Sequence, residues 1–161
     1  MRSRYHEFVI RDWRKEDRDC AAKVIKDVLA EYGLPWQPEV ADRDVIEVES
    51  AYLEVGGEFW VVEQNSMIVG TAAYQPIARG KNAVEIRKMY LLPQVRRKGL
   101  GRYLLAQLEN AIAIKDYQEI WIETASVLKE AVKLYESNGY QPAEGVKTER
   151  CDLVYLKQLH H

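Results

Sequence analysis

The stretch from Ala83 to Leu108, AVEIRKMYLLPQVRRKGLGRYLLAQL, decides the fold. Its first part, Ala83 to Leu92, is rich in apolar residues and reads as a strand ended by Pro93, which has no amide hydrogen to continue a ladder. Its last part opens a helix over Gly99–Lys115, with Leu104, Leu105, Leu108, Ala111 and Ile112 on one face. Between them lie Arg96, Arg97 and Lys98, followed by Gly99-Leu100-Gly101. The first turn of a helix leaves amide hydrogens unpaired, and the macrodipole adds partial positive charge there. A glycine without a Cβ lets an anion approach the backbone, and three cations plus Arg102 add Coulomb attraction. The Lys-Ser/Thr step of a P-loop is missing, and Leu104 stands where a dinucleotide fingerprint needs its last glycine. The remaining alternative, a glycine turn beside a solvated basic patch, stays open on this stretch alone. The strand before it and the strong helix after it weigh against that alternative.

The flanking elements build a sheet around this turn. On the N-terminal side, Glu58–Glu63 and Met67–Gln75 read as a hairpin turning at Asn65-Ser66, and Gly70 predicts a bulge or a close backbone approach. Further back, His6–Trp13 reads as a first strand. Glu16–Tyr32 reads as a helix with Ala21, Val24, Ile25, Val28 and Leu29 at its apolar face and Gly33 as a stop. A loop containing Pro35, Trp36 and Pro38 leads to a second helix over Asp42–Leu53, with Asp42 as its N-cap and Val45, Val48 and Tyr52 on its apolar side. On the C-terminal side follow a strand (Glu119–Thr124), a helix (Leu128–Asn138) stopped by Gly139, and two closing strands at Tyr140–Pro142 and Cys151–Leu156. A hairpin followed by strand–helix–strand crossovers requires a mixed sheet, because a crossover joins parallel neighbours.

Composition narrows the class. The 161 residues carry a net charge of −2 and an isoelectric point near 6.0, which argues against a nucleic-acid partner or a polybasic membrane anchor. No apolar run reaches membrane-spanning length, and the N-terminus lacks the apolar core of a secretory signal, so a cytoplasmic protein of one domain, residues 1–161, is expected. Cys20 and Cys151 are expected to be small packed apolar residues, with a disulfide or a nucleophile as the other options. Of the histidines His6, His160 and His161, the last two close the chain and read as the remnant of a tag. This inventory offers no metal cluster and no Ser-His-Asp triad.

Two motifs carry a family resemblance. Arg96-x-x-Gly99-x-Gly101, following a strand closed by Pro93, resembles the acyl-CoA pyrophosphate motif of the GNAT superfamily, the Gcn5-related N-acetyltransferases. AVKLYESNGY, Ala131 to Tyr140, resembles the second signature of that family, and the strand EIWIET lies between the two as the family requires. The resemblance spans His6 to Leu156. It implies an α/β (α+β) fold: a mixed, mostly antiparallel sheet of about seven strands, helices on both faces, and a V-shaped splay between the fourth and fifth strands. It implies acetyl-CoA as co-substrate, with backbone groups of Met89 and Leu91, flanking Tyr90, pairing with the pantetheine arm as an added strand would. Arg96 and the amides of Arg97, Lys98, Gly99, Leu100, Gly101 and Arg102 would hold the pyrophosphate. The acceptor would be the amine of a small molecule or a protein, and a homodimer is common in the family.

The resemblance also assigns chemistry. Acetyl transfer needs a base for the incoming ammonium, an acid for the departing thiolate and a donor for the carbonyl oxygen. Tyr135, in the Leu-Tyr pair of the second signature, is the candidate acid, since a phenol with a pKa of about 10 keeps its proton at neutral pH. Glu85, eleven residues before Arg96, is the candidate base, and its apolar strand would raise its pKa toward the working range. Glu123 and a water chain compete for that role, and the Met89 amide is the oxyanion donor. One position departs from the family: Leu128 stands where many members place an asparagine on the pantetheine, leaving Ser126, Thr124 or Lys129 as substitutes. For the acceptor side, Trp36, Tyr52, Trp60 and Tyr74 are aromatic candidates and Glu47 and Glu49 are candidate ammonium partners, although core packing or solvent exposure is the simpler reading of each. The alternative function is a non-catalytic acyl-CoA sensor of the same fold.

Overall fold

The computed structural model describes residues 1–145, 147, 148 and 150–159. Eight strands form one sheet, and four helices cover it: β1 (Ser3–Tyr5), β2 (Phe8–Asp12), α1 (Arg18–Glu31), α2 (Arg43–Ile46), β3 (Glu58–Gln64), β4 (Met67–Ile77), β5 (Ala83–Leu91), α3 (Leu100–Ile114), β6 (Glu119–Thr124), α4 (Lys129–Ser137), β7 (Gln141–Pro142) and β8 (Leu153–Gln158). The strand order is β1-β2-β3-β4-β5-β6-β8-β7. Every neighbouring pair is antiparallel except β5 and β6, which α3 joins by a crossover.

The hairpin turns where the sequence places it. Asn65 and Ser66 both have positive φ, 51° and 65°, and Gln64 faces Met67 across the two-residue turn. Period-two alternation then sends β3 residues to opposite faces. Trp60 and Val62 join Leu100, Leu104, Leu105, Leu108 and Ile112 of α3 in one core. Phe59 and Val61 join Ala21, Ile25 and Leu29 of α1 and Val45, Val48 and Tyr52 in the other. Helices therefore cover both faces of the sheet. The ladder between β3 and β4 slips between Val62 and Glu63, beside Gly70, whose missing side chain admits Leu91 and the Tyr90 carbonyl. A Cβ there would lie 2.6 Å from the Leu91 side chain, so bulge and close approach coincide.

Four expectations change. The single first strand is a hairpin: the chain reverses at His6, whose φ is 52°, and Tyr5 faces Phe8, which adds β1 and makes eight strands. A three-residue strand is too short to show a period. The second helix is not continuous over Asp42–Leu53; α2 ends at Ile46 and a wider π turn carries Glu49–Leu53, although its apolar face, Val45, Val48 and Tyr52, is buried as read. Asp42 does not cap this segment with its side chain, because its carboxylate accepts from the Gln37 amide at 2.8 Å and faces two buried cations. Cys20 is exposed rather than packed, Cys151 is half-buried, and both are free thiols. His160 and His161 lie outside the described residues.

Candidate active site

The site begins where the sheet opens. The parallel ladder of β5 and β6 runs from Ala83 opposite Glu119 to Ile86 opposite Ile122 and stops there, while β5 continues to Leu91 and β6 to Thr124. The two strands part beyond that point. A bulge drives the separation: Thr71 faces Tyr90 and Ala73 faces Arg87, so Lys88 and Met89 share one position opposite β4. Lys88 adopts φ 53°, and its carbonyl accepts a hydrogen bond from the Thr71 hydroxyl at 2.6 Å, which pins the bulge. A cavity of about 310 Å³ fills the opening, lined on one side by residues 86–91 and on the other by residues 122–125 and α4.

At one end of this cavity lies the turn read from the sequence as an anion site. Gly99 holds φ 81° as the left-handed residue before α3, and Arg97 holds φ 62°. The first α3 bond runs from the Tyr103 amide to the Gly99 carbonyl, which leaves the amides of Leu100, Gly101 and Arg102 without helical acceptors. Arg96, Arg97, Gly99, Gly101 and Arg102 line the cavity. The residues differ in what they can offer. The Arg96 guanidinium grips both Glu31 oxygens at 2.7 and 2.8 Å, and its Nε donates to the Leu91 carbonyl at 3.0 Å. It therefore ties the turn to α1 rather than presenting a free cation. Arg97 pairs with Glu130 across the mouth of the cavity while remaining largely exposed. Lys98 and Leu100 do not line the cavity; the Lys98 ammonium sits 5.9 Å above the Phe8 ring, and the Leu100 side chain is in the core.

At the other end are the titratable candidates. Tyr135 on α4 is 5% exposed and lines the cavity between the strands. Its ring lies 5.9 Å from that of Tyr140 and 6.5 Å from that of Tyr155. The hydroxyls of those two donate to Glu109 and Glu136, whereas no side chain or carbonyl among the described residues accepts from Tyr135. Burial, with the Tyr90 phenol nearby, pushes the Tyr135 hydroxyl above its ordinary value, so it keeps its proton. Tyr90 is itself pushed up to about 12 by burial.

Glu85 and Glu123 form a pair. Glu85 is buried beside Arg87 at 3.5 Å and does not itself line the cavity; Glu123 does. Burial raises the pKa of Glu85, the Arg87 guanidinium pulls it back, and the Glu123 carboxyl within hydrogen-bonding reach raises it again. The Leu128 side chain lines the cavity where the family amide would stand. Of its three candidate substitutes, Ser126 is committed to Asp152 through its amide and hydroxyl, both at 2.7 Å, and Lys129 is outside the lining; Thr124 borders the cavity.

The aromatic acceptor candidates are structural. Tyr52, Trp60 and Tyr74 are at most 1% exposed, Trp36 packs on the core beneath α1, and none of the four lines the cavity. Glu49 pairs with Arg18 and accepts from the Trp13 indole, and Glu47 pairs with Arg43. What the sequence did not reveal is the wall built around Asp42. Fully buried, it receives both prongs of the Arg150 guanidinium and the Lys88 ammonium at 3.0 Å. Arg150 also donates to the Pro35 carbonyl at 3.2 Å. This network bolts the loop after α1 and the segment before β8 to the bulge, and Arg150, Lys88 and Cys151 line the cavity. Burial alone would raise the Asp42 carboxyl, but Arg150 and Lys88 hold it below the ordinary carboxylate range.

The sheet opens at its parallel pair onto a gap with a cationic helix start at one end and an unpaired phenol at the other, the arrangement that the family resemblance leads one to expect. Comparisons agree. The family described as "Acetyltransferase (GNAT) domain" matches residues 55–142. An Escherichia coli K12 protein called uncharacterized N-acetyltransferase YjgM is 34% identical over 136 residues, covering 83% of this chain and 81% of its own. The mouse protein N-acetyltransferase 8F1 is 28% identical over 68% of this chain but 52% of its own length, so the chain spans about half of that relative. Among solved structures, a GNAT-family acetyltransferase from Staphylococcus aureus Mu50 superposes with a TM-score of 0.87 at 20% identity, covering 95% of this chain and 99% of its own. A Thermoplasma acidophilum N-acetyltransferase solved in complex with coenzyme A gives 0.72 at 20% identity, covering 94% and 99%. The chain belongs to the GNAT acetyltransferase family, and its mixed, mostly antiparallel sheet with helices on both faces is that family's fold. No helix among the described residues is long and apolar enough to cross a membrane.

Proposed function

We propose that this chain transfers an acetyl group from acetyl-CoA to a primary amine of a small molecule or a protein by direct attack. The observation that carries this reading is the single cavity lined by the start of α3, by the unpaired edge of β5 and by Tyr135. The diphosphate would lie on the amides of residues 99–102 with Arg97 and Arg102 beside it, held by the same helix-terminus physics that serves anions generally. The pantetheine arm would run along residues 89–91, sharing the Leu91 carbonyl with Arg96 and passing Thr124.

The chemistry follows the residues. The amine nitrogen bonds to the thioester carbon, and charge that builds on the carbonyl oxygen is met by the Met89 amide at the bulge. The C–S bond breaks, and the sulfur takes the proton of Tyr135, which burial keeps in place until then. The proton lost by the ammonium before attack goes to the carboxyl pair, entered at Glu123, the member on the cavity wall, with Glu85 behind it sharing the proton, and the second proton that the nitrogen sheds as the amide forms restores the Tyr135 phenol through solvent. The test is thiol release from acetyl-CoA over an amine panel with wild type and Tyr135→Phe. Turnover that falls with the variant supports the reading. Coenzyme A binding without turnover on any amine leaves the sensor alternative, and no binding ends both.

A further inference from the structure

We propose that Tyr5, in the N-terminal hairpin, is a positioning residue that aims the Gly99 amide at the diphosphate of the acyl donor; the inference rests on the donor site proposed above. Tyr5 belongs to a strand that the family signatures do not touch, and it does not line the cavity. Its hydroxyl nevertheless donates to the Lys98 carbonyl at 2.8 Å, across more than ninety residues of chain. That carbonyl and the Gly99 amide belong to one peptide unit, and in a planar trans peptide they point in opposite directions. Holding the carbonyl outward on Tyr5 therefore turns the Gly99 N–H inward, toward the cavity that Gly99 lines. The Gly99 amide has no backbone acceptor among the described residues, so it is available there. A hydrogen bond accepted by the carbonyl also polarises the peptide and strengthens its N–H as a donor.

Two further contacts show that the arrangement is built. The Tyr5 ring packs on the Tyr103 ring of α3 at 4.7 Å, which fixes the hydroxyl relative to the helix start. A Cβ at position 99 would lie 2.5 Å from the Tyr5 oxygen, so the tyrosine fills the space that the glycine leaves. The positive φ of Gly99, 81°, is thus matched by a partner that holds the peptide in that orientation. Without the hydroxyl, the Lys98–Gly99 peptide is free to rotate and must be ordered again when the anion binds.

The experiment compares coenzyme A with pantetheine, which lacks the diphosphate, by amide NMR titration of wild type and Tyr5→Phe. The variant keeps the ring on Tyr103 and removes one hydrogen bond. Coenzyme A affinity is expected to weaken about three- to tenfold, the range one net hydrogen bond supports, while pantetheine affinity stays at its wild-type value and the melting temperature falls by no more than about 4 °C. In turnover, the KM for acetyl-CoA rises and kcat holds. Tyr103→Phe, which loses only the 3.4 Å bond to the Arg4 carbonyl, leaves both affinities in place. Unchanged coenzyme A binding in Tyr5→Phe, or an equal loss for pantetheine, overturns the inference while leaving the donor site standing. Wild-type protein that binds no coenzyme A overturns both.

Discussion

Asp42→Ala removes the fully buried carboxylate that holds the Lys88 and Arg150 wall of the cavity together. Asp42 is fully buried and neutralises two cations that are themselves at most 8% exposed, Arg150 and Lys88. After truncation each cation loses its nearest carboxylate and keeps only weaker partners: Lys88 keeps Asp44 at 3.4 Å and the Ala41 carbonyl at 3.1 Å, and Arg150 keeps the Pro35 carbonyl at 3.2 Å and the Tyr90 hydroxyl. Stranding buried charge in this way costs about 3 kcal/mol, the lower end of the range for a broken buried pair. For a chain of this size that is a fall in melting temperature of about 6–12 °C. Arg150→Ala is the milder change, because Asp42 keeps Lys88 at 3.0 Å and the Gln37 amide at 2.8 Å. It should cost about 1–2 kcal/mol. The pH dependence has a definite sign. The folded carboxyl lies below its ordinary value of 3.8, so its contribution is complete above that pH and is lost as pH falls through the folded value. Thermal melts of the three proteins at neutral pH and on acidification check this, with the gap between wild type and Asp42→Ala closing in acid. Arg150→Ala as damaging as Asp42→Ala, or a gap that widens in acid, would refute the reasoning.

Other perturbations separate chemistry from support. Tyr135→Phe should lower kcat by about two to four orders of magnitude, the usual worth of a general acid, with little change in the KM for acetyl-CoA in steady-state kinetics. Because Arg96 acts through Glu31, Arg96→Ala and Glu31→Ala should raise the KM for acetyl-CoA to a similar extent, and the double variant should be no worse than either one; additive losses would mean that Arg96 meets the phosphate directly. Glu85 binds its proton more tightly when folded than when unfolded, so its burial erodes stability as pH rises above its ordinary value of 4.5. Glu85→Gln should therefore melt higher than wild type near neutral pH and lose that advantage toward pH 4, as calorimetry across the range would show.

What the sequence discloses is local. Asn65-Ser66 between two apolar strands dictates a two-residue hairpin, and the run from Ala83 to Leu108 dictates strand, turn and helix because each residue's role depends on near neighbours. Glycine at 99 is legible for the same reason: a helix start that must receive an anion needs an open backbone. The rest depends on partners far away in the chain. Nothing near Arg150 announces that it closes on Asp42, 108 residues earlier, and Asp42 at the head of an apolar segment looks like a cap. Tyr5 hides in a three-residue strand, and its partner Lys98 looks like a phosphate ligand although its ammonium sits over Phe8. Arg96 fits the motif by its position, but its guanidinium is held by Glu31 on a helix whose sequence reads only as amphipathic. Motif spacing points to a candidate site, and the pairing of each charge is decided by packing.

The claim beneath all of this is that the donor lies between β5 and β6 with its diphosphate on the first turn of α3. Hydrogen–deuterium exchange with and without saturating coenzyme A measures it directly. Slowed exchange at the amides of residues 87–91 and 99–102, with the β3–β4 hairpin unchanged, is the expected pattern. Protection absent from both segments while coenzyme A is bound, or confined to the groove between α1 and that hairpin near Lys23 and Met67, would contradict it.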